Sequence, residues 1–136
     1  MPDDARTPTA AEAIRRHLAR FDDAITPELA DAYDEAAVVE QPFLPGDAHR
    51  LEGRDAIRRH FAAAAAMPLR LRVRNLVVHE TADPEVVIAE YDYDGHVSTT
   101  GRTFTVANIQ VFRVRNGLIV ASRDYHDHAR LGQALR

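Results

Sequence analysis

The sequence predicts an α+β domain in which a cone-shaped, curved antiparallel or mixed β-sheet packs on three N-terminal helices. Three observations carry this. Apolar residues at helical spacing, with capping signals, occupy the first half of the chain. Four strand-like stretches separated by turn residues fill the second half. One short β-branched run, residues 37–41, lies among the helices. A sheet bent round a helix leaves a conical hollow, and hollows bind small molecules.

Residues 1–8 read as a polar, proline-bearing arm, and residues 9–130 as the domain. Thr9, with Glu12 three residues on, forms a capping-box pattern ahead of the stripe Ile14, Leu18 and Phe21. His17 is the oddity beside that stripe. Thr26-Pro27 opens a second short helix, expected over 27–33. The first strand, 37–41, is stopped by Pro42. Pro45-Gly46 marks a turn in the following loop, and residues 51–57 lead into a third helix that Met67-Pro68 ends.

Residues 69–80 alternate Leu69, Leu71 and Val73 against Arg70, Arg72 and Arg74, so the arginine face is expected to be solvated or dimer-facing. The next strand, 86–93, is expected to close at Asp94-Gly95. Residues 103–115 form a long strand that the turn pair Asn116-Gly117 hands to the last one. There, strict alternation places Val120, Ser122, Asp124 and His126 on one face and Ile119, Ala121, Arg123 and Tyr125 on the other. Residues 131–136 are a tail with the makings of a partial helix.

What the chain lacks narrows its chemistry. Its 136 residues contain no cysteine, so thiol nucleophiles, thiolate metal sites and disulfides are excluded together. All 17 basic residues are arginine, which removes Schiff-base lysines, and the six glycines are scattered rather than gathered into a phosphate loop. A net charge of -4 argues against nucleic acid. No apolar run approaches a membrane span, and the N-terminus lacks an export signal, so the expected location is the cytoplasm. Carboxylate, imidazole, phenol, hydroxyl and amide remain for catalysis, with no cofactor called for. His126-Asp127-His128 points two imidazoles one way but lacks a third ligand, so no metal is expected and the cluster reads as a solvated strand end.

Val39-Glu40-Gln41-Pro42, Leu51-Glu52-Gly53-Arg54-Asp55-Ala56-Ile57, the run from Phe112 through Asn116-Gly117 to Ile119, and Arg123-Asp124-Tyr125 fall in one familiar order. Over about residues 10–130 the chain resembles the nuclear transport factor 2-like superfamily, in its SnoaL-like and ketosteroid-isomerase-like branch. The resemblance implies a cone of curved sheet closed by three helices, and a homodimer through the sheet's outer face. It also implies cofactor-independent chemistry on an apolar polyketide- or steroid-like ligand. The steroid isomerases' base, an aspartate before the proline that ends the first strand, falls on Gln41 here. Their protonated oxyanion-hole acid falls on Gln110, and their oxyanion tyrosine on His17, with Tyr33 at the position of its supporting tyrosine. Epoxide hydrolases of the superfamily carry an aspartate in a matching Arg-Asp-Tyr motif, and phenazine-pathway relatives a glutamate; Asp124 matches both. The arginine and second aspartate of those hydrolases fall on Tyr91 and Tyr93.

Asp124 is therefore the sharpest candidate, as a proton-transfer group whose pKa burial raises. The competing reading is a carboxylate held in a structural network. His17 is its candidate partner or an electrophilic donor, or else an ordinary packed histidine. Gln41, Tyr33, Tyr91, Asn108, Gln110, Ser122 and His126 are the candidate ligand-binding residues, with structural hydrogen bonding as the alternative for the amides. Three functions stay open: an isomerase, cyclase or dehydratase; a non-catalytic binder of the same ligand; and a protein-interaction module with a filled cone.

Overall fold

Thr9 opens the first helix as its sequence suggests. Its hydroxyl accepts from the Glu12 amide at 3.1 Å, and the Glu12 carboxylate accepts from the Thr9 amide at 2.9 Å. In this computed structural model, which describes residues 6–22, 24–44, 46 and 49–136, helix α1 (Ala10–Ala19) buries Ile14, His17 and Leu18. Residues 1–5 of the expected arm, and Pro45 of the expected turn, lie outside the described residues.

The expected second helix is a 3-10 turn, Pro27–Ala32, and Tyr33 already belongs to strand β1 (Tyr33–Glu40). Asp34 and Glu35 disguise the start of this strand by their poor strand propensity. Pairing decides it instead: Tyr33 lies opposite Ile119 and Val38 opposite Ala121 in a parallel ladder. A three-residue edge strand, β2 (Arg50–Glu52), pairs antiparallel with Val38 to Glu40 where the sequence suggested only a lead-in. Gly53, at φ 90°, then turns the chain into α2 (Arg54–Ala65), which buries Ile57 and Phe61.

Strands β3 (Leu69–Glu80), β4 (Val86–Val97), β5 (Thr103–Arg115) and β6 (Leu118–His126) form the antiparallel meander. Asp94-Gly95 does not close β4. Gly95 lies opposite Phe104, whose ring occupies the space a Cβ at 95 would need, so this glycine makes room for an aromatic side chain. Asn116 and Gly117 take φ 53° and 79°, the positive angles that a tight hairpin demands. The six strands form one curved, unclosed mixed sheet in the order β2-β1-β6-β5-β4-β3. The short helix α3 (His128–Ala134) follows β6.

Two bulges change which side chains face inward. In β3, Asn75 (φ 59°) sits where the register slips, so Leu71 and Val73 before it and Leu76 and Val78 after it all reach the core. In β6, Val114 pairs with Ile119 and Arg113 with Ala121, leaving Val120 as the extra residue. Strict alternation is therefore wrong at that end. Ile119, not Val120, shares the inner face with Ser122 and Asp124, and Ile119 is 1% exposed. On the outer face Arg70 and Arg72 are exposed, and Arg74 pairs with Asp94 at 3.6 Å. No described helix is long and apolar enough to cross a membrane.

Candidate functional site

Between the inner sheet face and the helices lies a cavity of about 260 Å³. Its apolar lining comes from Phe21 on α1, Ile57 and Phe61 on α2, and Val39 and Leu71 on the sheet. His17, Tyr33, Gln41, Gln110, Asp124 and His126 line it as well. Tyr91, Asn108 and Ser122 are buried but stand behind the wall, where they hold the lining residues in place.

Strand register builds the polar wall. Gln110 lies directly opposite Asp124, and Asn108 opposite His126, so each amide is within reach of its cross-strand neighbour. Gln110 Nε2 donates to Asp124 Oδ1 at 2.8 Å, and the Ser122 hydroxyl donates to the same oxygen. The Tyr91 hydroxyl donates to Gln110 Oε1, which fixes the amide's orientation, and it lies 3.4 Å from the Tyr93 hydroxyl. Asp124 is thus anchored through one oxygen. The other, Oδ2, lies 3.9 Å from His126 Nε2.

Burial dominates the electrostatics. It pushes the Asp124 carboxyl above its ordinary range, against the opposing pull of its hydrogen bonds from Gln110 and Ser122. Desolvation also lowers His126 to about 4 and His17 to about 3, and lowers His60 and His128. Tyr93 is raised to about 12 by the same cause. At neutral pH the described residues therefore give the cavity neutral imidazoles, neutral phenols and one carboxyl group.

His17 does not pair with Asp124. Its Nε2 lies 3.3 Å from the Tyr33 hydroxyl, its Nδ1 is buried with no partner among the described residues, and it packs edge-on against Phe21 and Tyr33. Nor is the His126-Asp127-His128 segment a solvated strand end. His126 and His128 both line the cavity, their ring centroids 5.8 Å apart. Asp127 caps α3 through the Arg130 amide at 3.0 Å. That helix brings Leu131 over the cavity, and Leu135 follows it, so part of the expected tail is cavity wall. Sequence reasoning missed His60 and His128. For His60 an available signal was its place three residues after Ile57 on α2, next to the core-facing Phe61. Among the described residues, no group of three His, Asp or Glu side chains is placed to hold a metal ion.

Comparison with known proteins fits this geometry. The SnoaL-like domain profile matches residues 12–122. The YesE protein of Bacillus subtilis is 33% identical over 120 residues, covering 85% of this chain and 80% of its own length. A PhzA/B-like protein of Pseudomonas aeruginosa is 34% identical over 108 residues, covering 77% and 74% respectively. Among solved structures, a proposed isomerase from Bacillus subtilis superposes with a TM-score of 0.83 at 32% identity, covering 92% of this chain and 91% of its own. A proposed polyketide cyclase from Pseudomonas putida gives 0.80 at 18% identity, covering 95% and 99%, a likeness of fold alone. The cone-like sheet, the helices over it and the extent of these matches place the chain in one group: it belongs to the SnoaL-like domain family, within the nuclear transport factor 2-like superfamily.

Proposed function

We propose that this protein is a cofactor-independent acid–base enzyme, an isomerase, cyclase or dehydratase, acting on a small, mostly apolar organic molecule held in the cone. The observation that carries the reading is the state of Asp124. A buried carboxyl group tied down through Oδ1, with Oδ2 free to meet a ligand, is suited to take and return a proton at one fixed point. The raised pKa brings its proton affinity closer to that of a carbon acid next to a carbonyl. The neighbour at 32% identity, a proposed isomerase, points the same way. At about 260 Å³ the cavity lies below the usual range of small-molecule sites, roughly 300–1,000 Å³, which favours a one- or two-ring substrate over a four-ring steroid.

The residues divide by role. Asp124 transfers the proton. Gln110 and Ser122 hold it in position, and Tyr91 orients Gln110. His17 and Tyr33 form the far wall, where a neutral imidazole–phenol pair offers a hydrogen bond to a substrate oxygen. Exposed Ile109 on the outer face of β5 supports a homodimer through that face.

The test is α-proton exchange of 2-tetralone, a two-ring ketone, followed by NMR in heavy water. The protein is expected to accelerate exchange, and Asp124→Asn to lower that acceleration by about 100-fold or more. Exchange that survives the substitution overturns the assignment. The second reading is a non-catalytic binder, favoured by a single carboxylate lining the cavity among the described residues and by glutamines at 41 and 110. In that case Asp124→Asn changes affinity for the ketone and there is no rate to lose.

A further inference from the structure

The hydrogen bonds around His126 settle more than its position. Asn108 Nδ2 donates to the Val106 carbonyl at 3.3 Å, so the amide oxygen is turned toward His126. His126 Nδ1 lies 2.6 Å from that oxygen. An oxygen that can only accept requires N–H at Nδ1, and in a neutral imidazole this leaves a lone pair on Nε2. That lone pair sits 3.9 Å from Asp124 Oδ2, too far for a direct hydrogen bond and far enough apart for one small polar group to touch both.

The gap selects what fills it. With Asp124 ionised, both sides accept. With Asp124 protonated on Oδ2, one side donates and the other accepts. A hydroxyl satisfies the second case in full, because it takes a hydrogen from the acid while giving its own to Nε2; in the first, its single hydrogen reaches only one of the two acceptors. An ether or a carbonyl oxygen meets neither fully. An ammonium group meets only the first, and the second is the form that burial favours.

Resting on the acid–base reading of Asp124, we infer that the ligand carries a hydroxyl group, enol or alcohol, which sits between Asp124 Oδ2 and His126 Nε2, with Asn108 as the positioning residue that keeps His126 accepting. The substrate class is thereby narrowed to hydroxylated one- or two-ring compounds. His126 becomes a group that touches the substrate, and Asn108, behind the wall, acts only through it.

The probes are 2-naphthol, 2-methoxynaphthalene and 2-(aminomethyl)naphthalene, matched in rings and differing in the polar group. On wild-type protein 2-naphthol is expected to bind about 10-fold tighter than the methyl ether, the worth of one buried hydrogen bond to an ionisable pair. It should also move the His126 Nε2 nitrogen resonance upfield, while the ether leaves it in place. His126→Phe, which keeps a ring but has no acceptor, should bring the two affinities close to parity. Asn108→Leu should reduce the preference and show a mixture of His126 tautomers, a readout that a merely structural role would not move. Equal binding by wild type, an unmoved Nε2 resonance, or an undiminished preference in His126→Phe each overturns the inference. So does tighter binding of the aminomethyl compound, which would mark a cation site. None of these readouts involves turnover, so loss of the hydroxyl preference leaves the Asp124→Asn exchange test standing, and the converse holds.

Discussion

His17 and His126 line the same cavity from opposite sides, and burial holds both neutral. On the helical side, His17 is embedded among aromatic edges, with one nitrogen 3.3 Å from a tyrosine hydroxyl and the other unpartnered. On the sheet side, His126 has a cross-strand amide that dictates which nitrogen carries its proton. Desolvation alone sets charge; a register-fixed hydrogen bond sets direction. The second also fixes which imidazole nitrogen is left to meet a ligand atom.

The largest test of this contrast is the acid side of the stability curve. A histidine whose folded pKa is depressed stabilises the fold above its unfolded value of about 6.5. That stability is lost as pH falls, because the unfolded chain binds the proton first. For His17, lowered to about 3, the loss between neutrality and pH 4 is about 3 kcal/mol and continues below pH 4. For His126, lowered to about 4, the loss is of similar size but ends there. Asp124, raised, works with the opposite sign just above its unfolded value of about 3.9. Urea unfolding against pH should show a shallower slope in His17→Gln than in wild type, down to about pH 3. Identical slopes would show that His17 is not held neutral by the fold.

A smaller effect separates direction from burial. Asn108→Asp places a carboxylate against His126 Nδ1, and the His126 pKa should rise by about 2 units in an NMR titration, with His17 unmoved. If both histidines move together, they respond to a shared environment and not to separate partners. The smallest effect belongs to the rim. Arg102 reaches the Gln133 carbonyl at 3.2 Å from an exposed position, so Arg102→Ala should change stability by no more than about 0.5 kcal/mol. A larger loss would mean that the seating of α3 stabilises the cavity wall formed by His128 and Leu131.

Local rules carried the fold far. The Thr9–Glu12 box, the Asn116-Gly117 turn and the order of helices and strands all rest on chemistry within a few residues. What escaped was non-local. Tyr33 enters a strand because Ile119, far along the chain, pairs with it, and β2 exists because β1 offers it an edge. Gly95 reads as a turn until Phe104 is placed across from it. The same divide runs through the site. Counting by twos put Asp124, Ser122, Gln110 and Asn108 inward, but whether each reaches the cavity or stands behind it depends on neighbouring strands. His60 and His128 reach the cavity because α2 and α3 fold over it, which no periodicity within β6 reveals.

The one-residue excess at Val120 constrains how this chain can change length. Upstream of it the strand presents odd-numbered side chains to the interior, and downstream even-numbered ones. Deleting Val120 would restore a uniform ladder, with Ile119 before it and Ser122 and Asp124 after it all still facing inward. Deleting Arg123 would instead make Ser122 and Asp124 neighbours on opposite faces, so that one of the two turns toward solvent. A lost codon at 120 is therefore tolerable variation, whereas one at 123 parts the carboxylate from the hydroxyl that anchors it in a single step.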